Sequence, residues 1–230
     1  MIKRIIFVLF FVSFILCAFS QSGVHDGGNY IKRIENNLYI YGMHELRSKT
    51  ELEKRFFGDF NAPVEFFHMQ SYEGASCFRL VRDSLDVYLE LKYITNYKEA
   101  TKEVDNKYAS NPLIAHERKT NYWTDVYELV NIETRSFPIS EQIADKLFEK
   151  MVYFINNFKA KVTPSIRSYG GYSVVFRTVV DENEQWSLWI NTPKGDALRM
   201  ANLCRQIIED MQFNKLDESK YISVLDTFGN

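Results

Sequence analysis

Four histidines are the residues of this 230-residue chain best suited to bind a metal ion or to transfer a proton. They are scattered along the sequence, at His25, His44, His68 and His116. None belongs to an H-x-x-x-H or H-E-x-x-H motif, or to a Cys/His pair with the spacing of zinc ligands. Because no other cofactor motif is present, we predict no metal ion and no cofactor.

Candidate nucleophiles are equally weak. Gly74-Ala-Ser76 lacks the second glycine of a G-x-S-x-G elbow. Cys204 falls on the apolar stripe of a predicted helix, without a His or Lys in its own turn to lower the thiol pKa. Paired catalytic carboxylates stay open as an alternative, because 30 acidic residues allow many pairings in three dimensions.

Two short stretches resemble ligand loops but lack their defining residues. Lys194-Gly195-Asp196 precedes a predicted helix, yet it has a single glycine, and Asp196 stands where an anion would bind. We predict a proline-assisted turn capped by Thr192 or Asp196 instead. Asp181-Glu-Asn-Glu lacks the central glycine and terminal glutamate of a calcium loop, which favours a solvated turn.

Trp186 lies on the second strand of a predicted hairpin, whose strands run from Tyr172 to Val180 and from Gln185 to Asn191. A three-residue loop, Asp181-Glu182-Asn183, places apolar residues together on one face. Its register pairs Thr178 with Trp186, Phe176 with Leu188 and Val174 with Ile190. Trp186, Leu188 and Ile190 are therefore predicted to face the core.

The opposite face of the hairpin carries the candidate binding residues Trp189, Arg177, Ser187 and Val175. Trp189 lies opposite Val175 and diagonal to Arg177, within reach of a cation–π contact. If helices cover both faces, Trp189 is ordinary core, as most tryptophans are. If this face is open, Trp189 and Arg177 form a patch typical of protein interfaces.

The elements before residue 111 are mostly strands. We predict a strand over Leu38 to Met43 and a short helix that begins with the capping box Thr50-x-x-Glu53 and ends at Gly58, with Leu52 and Phe56 buried. A β meander follows, with strands over Val64 to Met69, Ser76 to Val81 and Leu85 to Ile94. The last strand alternates apolar and polar residues, so one face of the sheet is expected to be wet.

The elements from residue 97 onward include three predicted helices. The first is a weak helix over 97–108, after which Asn111-Pro112 is typical of a linker. A long strand is predicted from Tyr122 to Arg135. A strong helix then begins at Ser140, and its apolar stripe comprises Ile143, Leu147, Met151, Phe154, Ile155 and Phe158. The last helix carries a stripe of Ala197, Met200, Ala201, Cys204, Ile207, Ile208 and Met211.

These elements define an α+β fold in which antiparallel meander and hairpin sheets are backed by helices. The chain can be divided into two lobes of similar order, strand, helix, strands and helix. The N-terminal lobe covers 21–110 and the C-terminal lobe covers 111–230, although no residue-level repeat supports a duplication. A disulfide between Cys77 and Cys204 is one alternative, and two buried free thiols are the other, which we favour.

The first twenty residues indicate export. Lys3 and Arg4 precede an apolar stretch, 5–16, and the small-x-small pattern Ala18-Phe19-Ser20, which predicts signal-peptide cleavage after Ser20. An uncleaved anchor is less favoured because the stretch is shorter than the roughly 20 residues that span a bilayer. A lipid on Cys17 is less favoured because bulky residues precede it. The signal peptide, together with the richness in Phe, Tyr, Asn, Lys and Ile, predicts a Gram-negative bacterium of low genomic GC content as the source, and hence a mature protein in the periplasm or outside the cell.

The charge of the mature chain argues against nucleic acid as a partner. Two of the 28 Lys and Arg residues leave with the signal peptide, which leaves 26 against 30 Asp and Glu and a formal charge near −4. No Lys/Arg run is longer than two, whereas nucleic-acid binding needs a concentrated basic face. We also predict no transmembrane segment in the mature chain.

Two classes of function fit these observations. The favoured class is a non-catalytic envelope protein that binds another protein, as an inhibitor or immunity-type partner does. The alternative is an envelope hydrolase that acts on peptides or glycans through carboxylates or histidines. A deep pocket that joins acids with two or more of His44, His68 and His116 would favour the hydrolase. The oligomeric state is not indicated by the sequence.

Overall fold

The computed structural model describes residues 24–25, 50–58, 60–70, 72–83, 86–110, 114, 117–158, 172–181 and 184–228. The predicted cleavage site, the strand predicted over Leu38 to Met43 and the Asn111-Pro112 linker lie outside these residues.

The first half of the described chain contains five strands and two helices. In chain order they are β1 (Val24–His25), α1 (Glu51–Phe57), β2 (Phe60–Asn61), β3 (Val64–Gln70), β4 (Gly74–Arg82), β5 (Val87–Ile94) and α2 (Tyr97–Ser110). The second half contains α3 (Arg118–Leu129), β6 (Ile132–Pro138), α4 (Glu141–Asn157), β7 (Tyr172–Asp181), β8 (Glu184–Asn191), α5 (Asp196–Gln212) and α6 (Glu218–Leu225).

Six of the strands form one antiparallel sheet in the order β6-β5-β4-β3-β7-β8. The predicted meander supplies β3, β4 and β5, and the predicted hairpin supplies β7 and β8. The pair β3–β7 joins them, with Phe66 opposite Phe176. The α+β class is therefore confirmed, and strands from both sides of residue 110 share this sheet.

Helices cover both faces of the sheet. On one face, α4, α5 and α6 bury the first core, which includes Phe66, Phe78, Leu91, Met151 and Cys204. On the other face, α1, α2 and α3 bury the second core, which includes Phe56, Phe67, Cys77, Val104 and Val126. The expectation of one wet sheet face was therefore wrong, because the sequence could not show that the second set of helices returns onto the polar side of β5.

Three of the predicted helices are confirmed with their caps or stripes. In α1 the Thr50 hydroxyl accepts from the Glu53 N–H at 3.2 Å, and the Glu53 carboxylate accepts from the Thr50 N–H at 2.7 Å, which completes the capping box. The α4 helix begins after Ser140, whose hydroxyl accepts from the Ile143 N–H. Every residue of the predicted α5 stripe is buried.

The strand predicted from Tyr122 to Arg135 was wrong. Residues up to Leu129 belong to the helix α3, and only 132–138 form a strand. Tyr122, Val126 and Val130 recur every four residues, and the last two are buried in the second core. This helical period outweighed the high strand propensity of the tyrosines, tryptophan and valines in the segment.

The hairpin register is confirmed, but its loop was predicted incorrectly. Thr178 pairs with Trp186, and Val174 pairs with Ile190. At the tip, Asp181 pairs with Glu184, and the register shifts between Val179 and Asp181. The extra residue that was predicted to lie in a three-residue loop instead forms a bulge in β7. The side chains of the hairpin therefore point to the same faces of the sheet as predicted.

The turn before α5 also differs from its prediction. The N-cap of α5 is Gly195, with φ 57°, and no side chain accepts a hydrogen bond there, so capping by Thr192 or Asp196 was wrong. Thr192 itself has φ 53°, and its N–H donates to the Tyr172 carbonyl at 2.8 Å. The backbone of this turn, rather than a side-chain cap, connects the hairpin to α5.

Within the described residues, no helix combines the length and the apolar character that crossing a membrane requires.

Candidate functional site

The four residues predicted to bind a partner lie together on the second-core face of the hairpin. Val175 pairs with Trp189, and Arg177 pairs with Ser187. Val175 is buried, and Trp189 is partly buried against the second core. Arg177 has only 2% of its surface exposed. The structure thus brings the four together under covering helices, so that Val175 and Arg177 do not reach the surface.

Arg177 is the centre of a buried charge triad, which we define as Glu53, Glu65 and Arg177. Arg177 Nη2 donates to Glu53 Oε1 at 2.5 Å, and Arg177 Nη1 lies 3.7 Å from Glu65 Oε2. The other oxygen of Glu65 accepts from the Ala62 N–H at 3.0 Å. Each charge is therefore compensated inside the protein, as a buried charge must be.

The triad continues as a row of alternating charges across the sheet. The strand registers place Arg177 opposite Glu65, Glu65 opposite Arg79, and Arg79 opposite Glu90. Arg79 Nε lies 2.7 Å from Glu90 Oε1, and Arg79 Nη1 donates to the Phe57 carbonyl at 2.9 Å. This row joins four strands and α1, a structural role that explains the polar residues of the meander.

The Glu53 carboxylate of the triad is poorly suited to act as a general acid. Burial by itself would raise the pKa of Glu53, but Arg177 and the hydrogen bonds with Thr50 outweigh it and hold that pKa below its ordinary value. Glu53 is therefore ionised at neutral pH. A general acid needs a raised pKa, which this environment does not give.

Of the three histidines in the hydrolase hypothesis, His68 lies in the described chain, whereas His44 and His116 lie outside it. His68 is buried on the first-core side of β3. Burial, together with the positive charge of Arg205, lowers the pKa of His68 to about 4, so its imidazole is neutral. In the described ranges, no group of three or more His, Cys, Asp or Glu residues could hold a metal ion.

Cys77 and Cys204 are free and buried, as favoured from the sequence. Cys77 belongs to the second core and Cys204 to the first. Burial raises the pKa of both thiols, so neither forms the thiolate that nucleophilic attack requires.

The helix α3 carries an aromatic surface that was not predicted from the sequence, which we define as Tyr122, Trp123 and Tyr127. Trp123 keeps 47% of its surface exposed. Its ring stacks on Tyr127, with centroids 6.1 Å apart, and meets the Tyr122 ring edge-on at 5.0 Å. Such a half-exposed indole, held by two neighbouring rings, presents a rigid apolar area to the solvent.

Ion pairs between α2 and α3 hold this surface in place. Lys107 Nζ and the Tyr108 hydroxyl each donate to Asp125 Oδ2 at 2.7 Å, which keeps the pKa of Asp125 below its ordinary value. Arg118 pairs with Asp105 at 2.7 Å and lies over the Tyr122 ring. The aromatic surface is therefore bordered on the α2 side by charges that are already paired.

A second border of the aromatic surface is acidic. An exposed outer row begins at the N-cap residue Glu117 and continues along α3, with a spacing of three and four residues, through Asn121, Thr124 and Glu128. It contains two acids and no base. The sequence did not predict this acidic row, because the segment was predicted to be a strand. Only a helix brings Thr124 beside Tyr127 and places the row on the side away from the core.

Comparison of the sequence with protein-family models found no match, and neither did comparisons with curated proteins and with solved structures. The class of the protein is thus defined by its fold, an α+β architecture with a six-stranded antiparallel sheet between helices.

Proposed function

We propose that this protein is an exported, non-catalytic binding protein that recognises another protein through the aromatic surface of α3. The observation that carries the proposal is the half-exposed Trp123 stacked on Tyr127. Tryptophan and tyrosine are enriched among the residues that dominate binding energy at protein interfaces. Because contacts with Tyr122 and Tyr127 already hold the Trp123 ring, little side-chain entropy remains to be lost on binding.

The chemistry of the surface supports one kind of partner. Arg118 and Lys107 are neutralised by Asp105 and Asp125, whereas Glu128 is an exposed acid on the outer row. A complementary protein would present an apolar pocket bordered by basic side chains.

The environment of the ionisable groups favours binding over catalysis. Glu53 is held ionised by Arg177, His68 is held neutral, and both thiols are buried. None of these groups has the pKa near neutrality that acid–base catalysis uses.

Export is the second part of the proposal and rests on the first twenty residues. N-terminal sequencing of the protein recovered from the periplasm or the medium should begin at Gln21. Recovery of residues before Gln21, or a lipid on Cys17, would contradict this part without affecting the binding surface.

The binding surface is tested by comparing matched aromatic variants. The mature chain is used to isolate partners from a native envelope extract, and the affinity of each purified partner is measured for wild type, Trp123→Ala and Tyr153→Ala. Tyr153 is a suitable control because it is 45% exposed and lies on α4, on the other side of the sheet. We expect Trp123→Ala to weaken binding by about 2 kcal/mol, roughly 30-fold, and Tyr153→Ala to leave it unchanged.

The acidic row provides an independent charge test. Glu128→Lys should slow association with the same partner, because it places a positive charge against the basic border that we propose. A partner that binds wild type, Trp123→Ala and Glu128→Lys equally would refute the proposed surface. A wild-type bait that retains no protein beyond those retained by Trp123→Ala would do the same.

A further inference from the structure

Three polar side chains meet on the first-core side of the sheet, away from α3. His68 comes from β3, Tyr172 opens β7, and Arg205 comes from α5. The register pairs His68 with Val174, which makes Tyr172 its diagonal neighbour. The His68 and Tyr172 rings meet edge-on with centroids 5.1 Å apart, and the Arg205 guanidinium carbon lies 5.0 Å above the Tyr172 ring.

Two buried polar atoms of this cluster lack a hydrogen-bond partner in the described part of the protein. They are Nε2 of His68 and the hydroxyl of Tyr172. The His68 side chain is more than nine-tenths buried. Because buried polar groups nearly always form hydrogen bonds, these two atoms in contacting side chains give the cluster an unused capacity for hydrogen bonding.

Arg205 adds a full positive charge at the partly exposed side of this cluster. Among the described residues, no carboxylate forms an ion pair with Arg205. Arg199, on the same helix, makes an instructive contrast: it also lies 5.0 Å from an aromatic ring, that of Phe228, but Asp196 pairs with it at 3.5 Å. Arg205 thus keeps its capacity to bind an anion, whereas Arg199 has an internal counterion.

We infer that His68, Tyr172 and Arg205 form a binding site for a carboxylate group, carried by a small acid or by the C-terminus of a peptide. The guanidinium of Arg205 pairs with the carboxylate, and the Tyr172 hydroxyl and the His68 N–H donate to its oxygens. One cation and two neutral donors match a monoanion better than a doubly charged phosphate. Tyr172 and Arg205 are partly exposed, whereas the Tyr172 hydroxyl and Nε2 of His68 are buried, so binding requires the side chains of Tyr172 and Arg205 to move aside.

The test is a titration of the folded mature chain with sodium acetate, followed by the NMR signals of the His68 imidazole, with sodium chloride at equal ionic strength as the control. We expect a saturable shift with a dissociation constant in the millimolar range, as for a ligand of so few atoms. Arg205→Gln should weaken acetate binding by about tenfold or more, because a charge-assisted pair is lost. Tyr172→Phe, which keeps the ring and loses the hydroxyl, should weaken it several-fold.

The matched control is Arg199→Gln, which removes an arginine of the same helix and should leave acetate binding unchanged. Arg205 is only partly buried, and Arg205→Gln is expected to fold, which thermal unfolding verifies. A shift that does not saturate, that chloride reproduces, or that Arg205→Gln retains in full would overturn the inference.

A second arm identifies the source of the carboxylate. An N-acetylated alanine dipeptide with a free C-terminus is compared with its amide. Tighter binding of the free acid than of acetate assigns the site to peptide C-termini, and equal or weaker binding assigns it to small acids. Binding of the amide as tightly as the free acid would contradict a carboxylate site. Because Trp123 plays no part in this assay, its outcome is separate from that of the proposed protein interface.

Discussion

The carboxylate of Glu53 forms two structural hydrogen bonds, one at the start of α1 and one to the sheet. One oxygen accepts from the Thr50 N–H and completes the cap of α1, and the other accepts from Arg177 in β7. The helix start and the sheet are therefore connected through a single side chain that is 3% exposed. This connection explains how a helix of seven residues, which would not be stable alone, is fixed on the second core.

Replacement of Glu53 by Gln should destabilise the protein by about 3 kcal/mol at neutral pH. The change removes the charge that compensates Arg177, and loss of one partner of a buried pair leaves the other charge uncompensated. Thermal or denaturant unfolding measures the effect. Glu51→Gln is the control, because Glu51 lies in the same helical turn but is exposed, and it pairs with Lys54 at the surface.

The same pair of variants tests the pH dependence of stability. The pKa of Glu53 is lower in the folded state than its ordinary value of 4.5. Its stabilising contribution is therefore complete above 4.5 and is lost as the pH falls through the lower folded value. Glu53→Gln should lose less of its stability between neutral and acidic pH than wild type does. Equal acid losses in Glu53→Gln and Glu51→Gln would contradict the assignment.

The charged side chains on the polar face of β4 and β5 form ion pairs with one another. Along β4 and β5 the residues Arg79, Glu90 and Lys92 alternate with apolar ones, as on a strand with one wet face. Glu90 accepts ion pairs from both bases, from Arg79 at 2.7 Å and from Lys92 at 3.2 Å. Polar alternation in these strands thus marks cross-strand ion pairs beneath a second helix layer, with little exposure to water.

At the scale of the β7–β8 hairpin, both tryptophans should contribute to stability. Trp186 packs on the first core and Trp189 on the second, and both are partly buried. We expect Trp186→Ala and Trp189→Ala each to destabilise the protein by about 2–4 kcal/mol. This is less than the roughly 3–5 kcal/mol for a fully buried aromatic, because both tryptophans are only partly buried. Denaturant unfolding of the two variants provides the comparison.

A large difference between the two tryptophan variants would show that one face of the hairpin is less covered than the structure indicates. In particular, if Trp189→Ala leaves the free energy of unfolding unchanged but weakens partner binding, the result would support the predicted binding patch of Trp189, Arg177, Ser187 and Val175. Trp123→Ala serves as the reference for an exposed aromatic and should cost less stability than either.

The molecule as a whole is divided by its sheet into two cores. Cys77 lies in one and Cys204 in the other, so the backbone of the sheet separates the two thiols. A disulfide requires the two Cα atoms to lie within about 7 Å without an intervening layer. Cys77 and Cys204 are therefore not expected to form a disulfide. The apolar residues buried on the two faces of the sheet are enough to stabilise a domain of this size without one.

Alkylation tests this separation. After denaturation without reductant, Cys77 and Cys204 should each take up one label, and neither should be labelled while the protein is folded, because both are buried. Absence of labels after denaturation would mean that the two cysteines are bonded. Rapid labelling of the folded protein would mean that one core opens readily.

The sequence by itself determined the local structure wherever a residue pattern has one physical solution. The capping box at Thr50 and Glu53, the stripes of α4 and α5, and the face of the hairpin that holds Trp186 and Leu188 were all predicted. Each depends on neighbours within a helical turn or on a directly paired strand. The period of apolar residues and the hydrogen bonds of a cap are fixed over that distance.

Only the tertiary structure decided what covers each face and which side chains meet. The residues around Trp123 carry strand propensity, and their helix is stabilised by Val126 and Val130 packing on a core built from distant strands. Arg177 and Glu53 are 124 positions apart, and His68, Tyr172 and Arg205 come from three elements. Such contacts depend on how the strands order themselves in the sheet, and no short-range pattern encodes that order. For the same reason, neither the aromatic surface nor the proposed carboxylate site could be predicted from the sequence, because both depend on how the helices pack on the sheet.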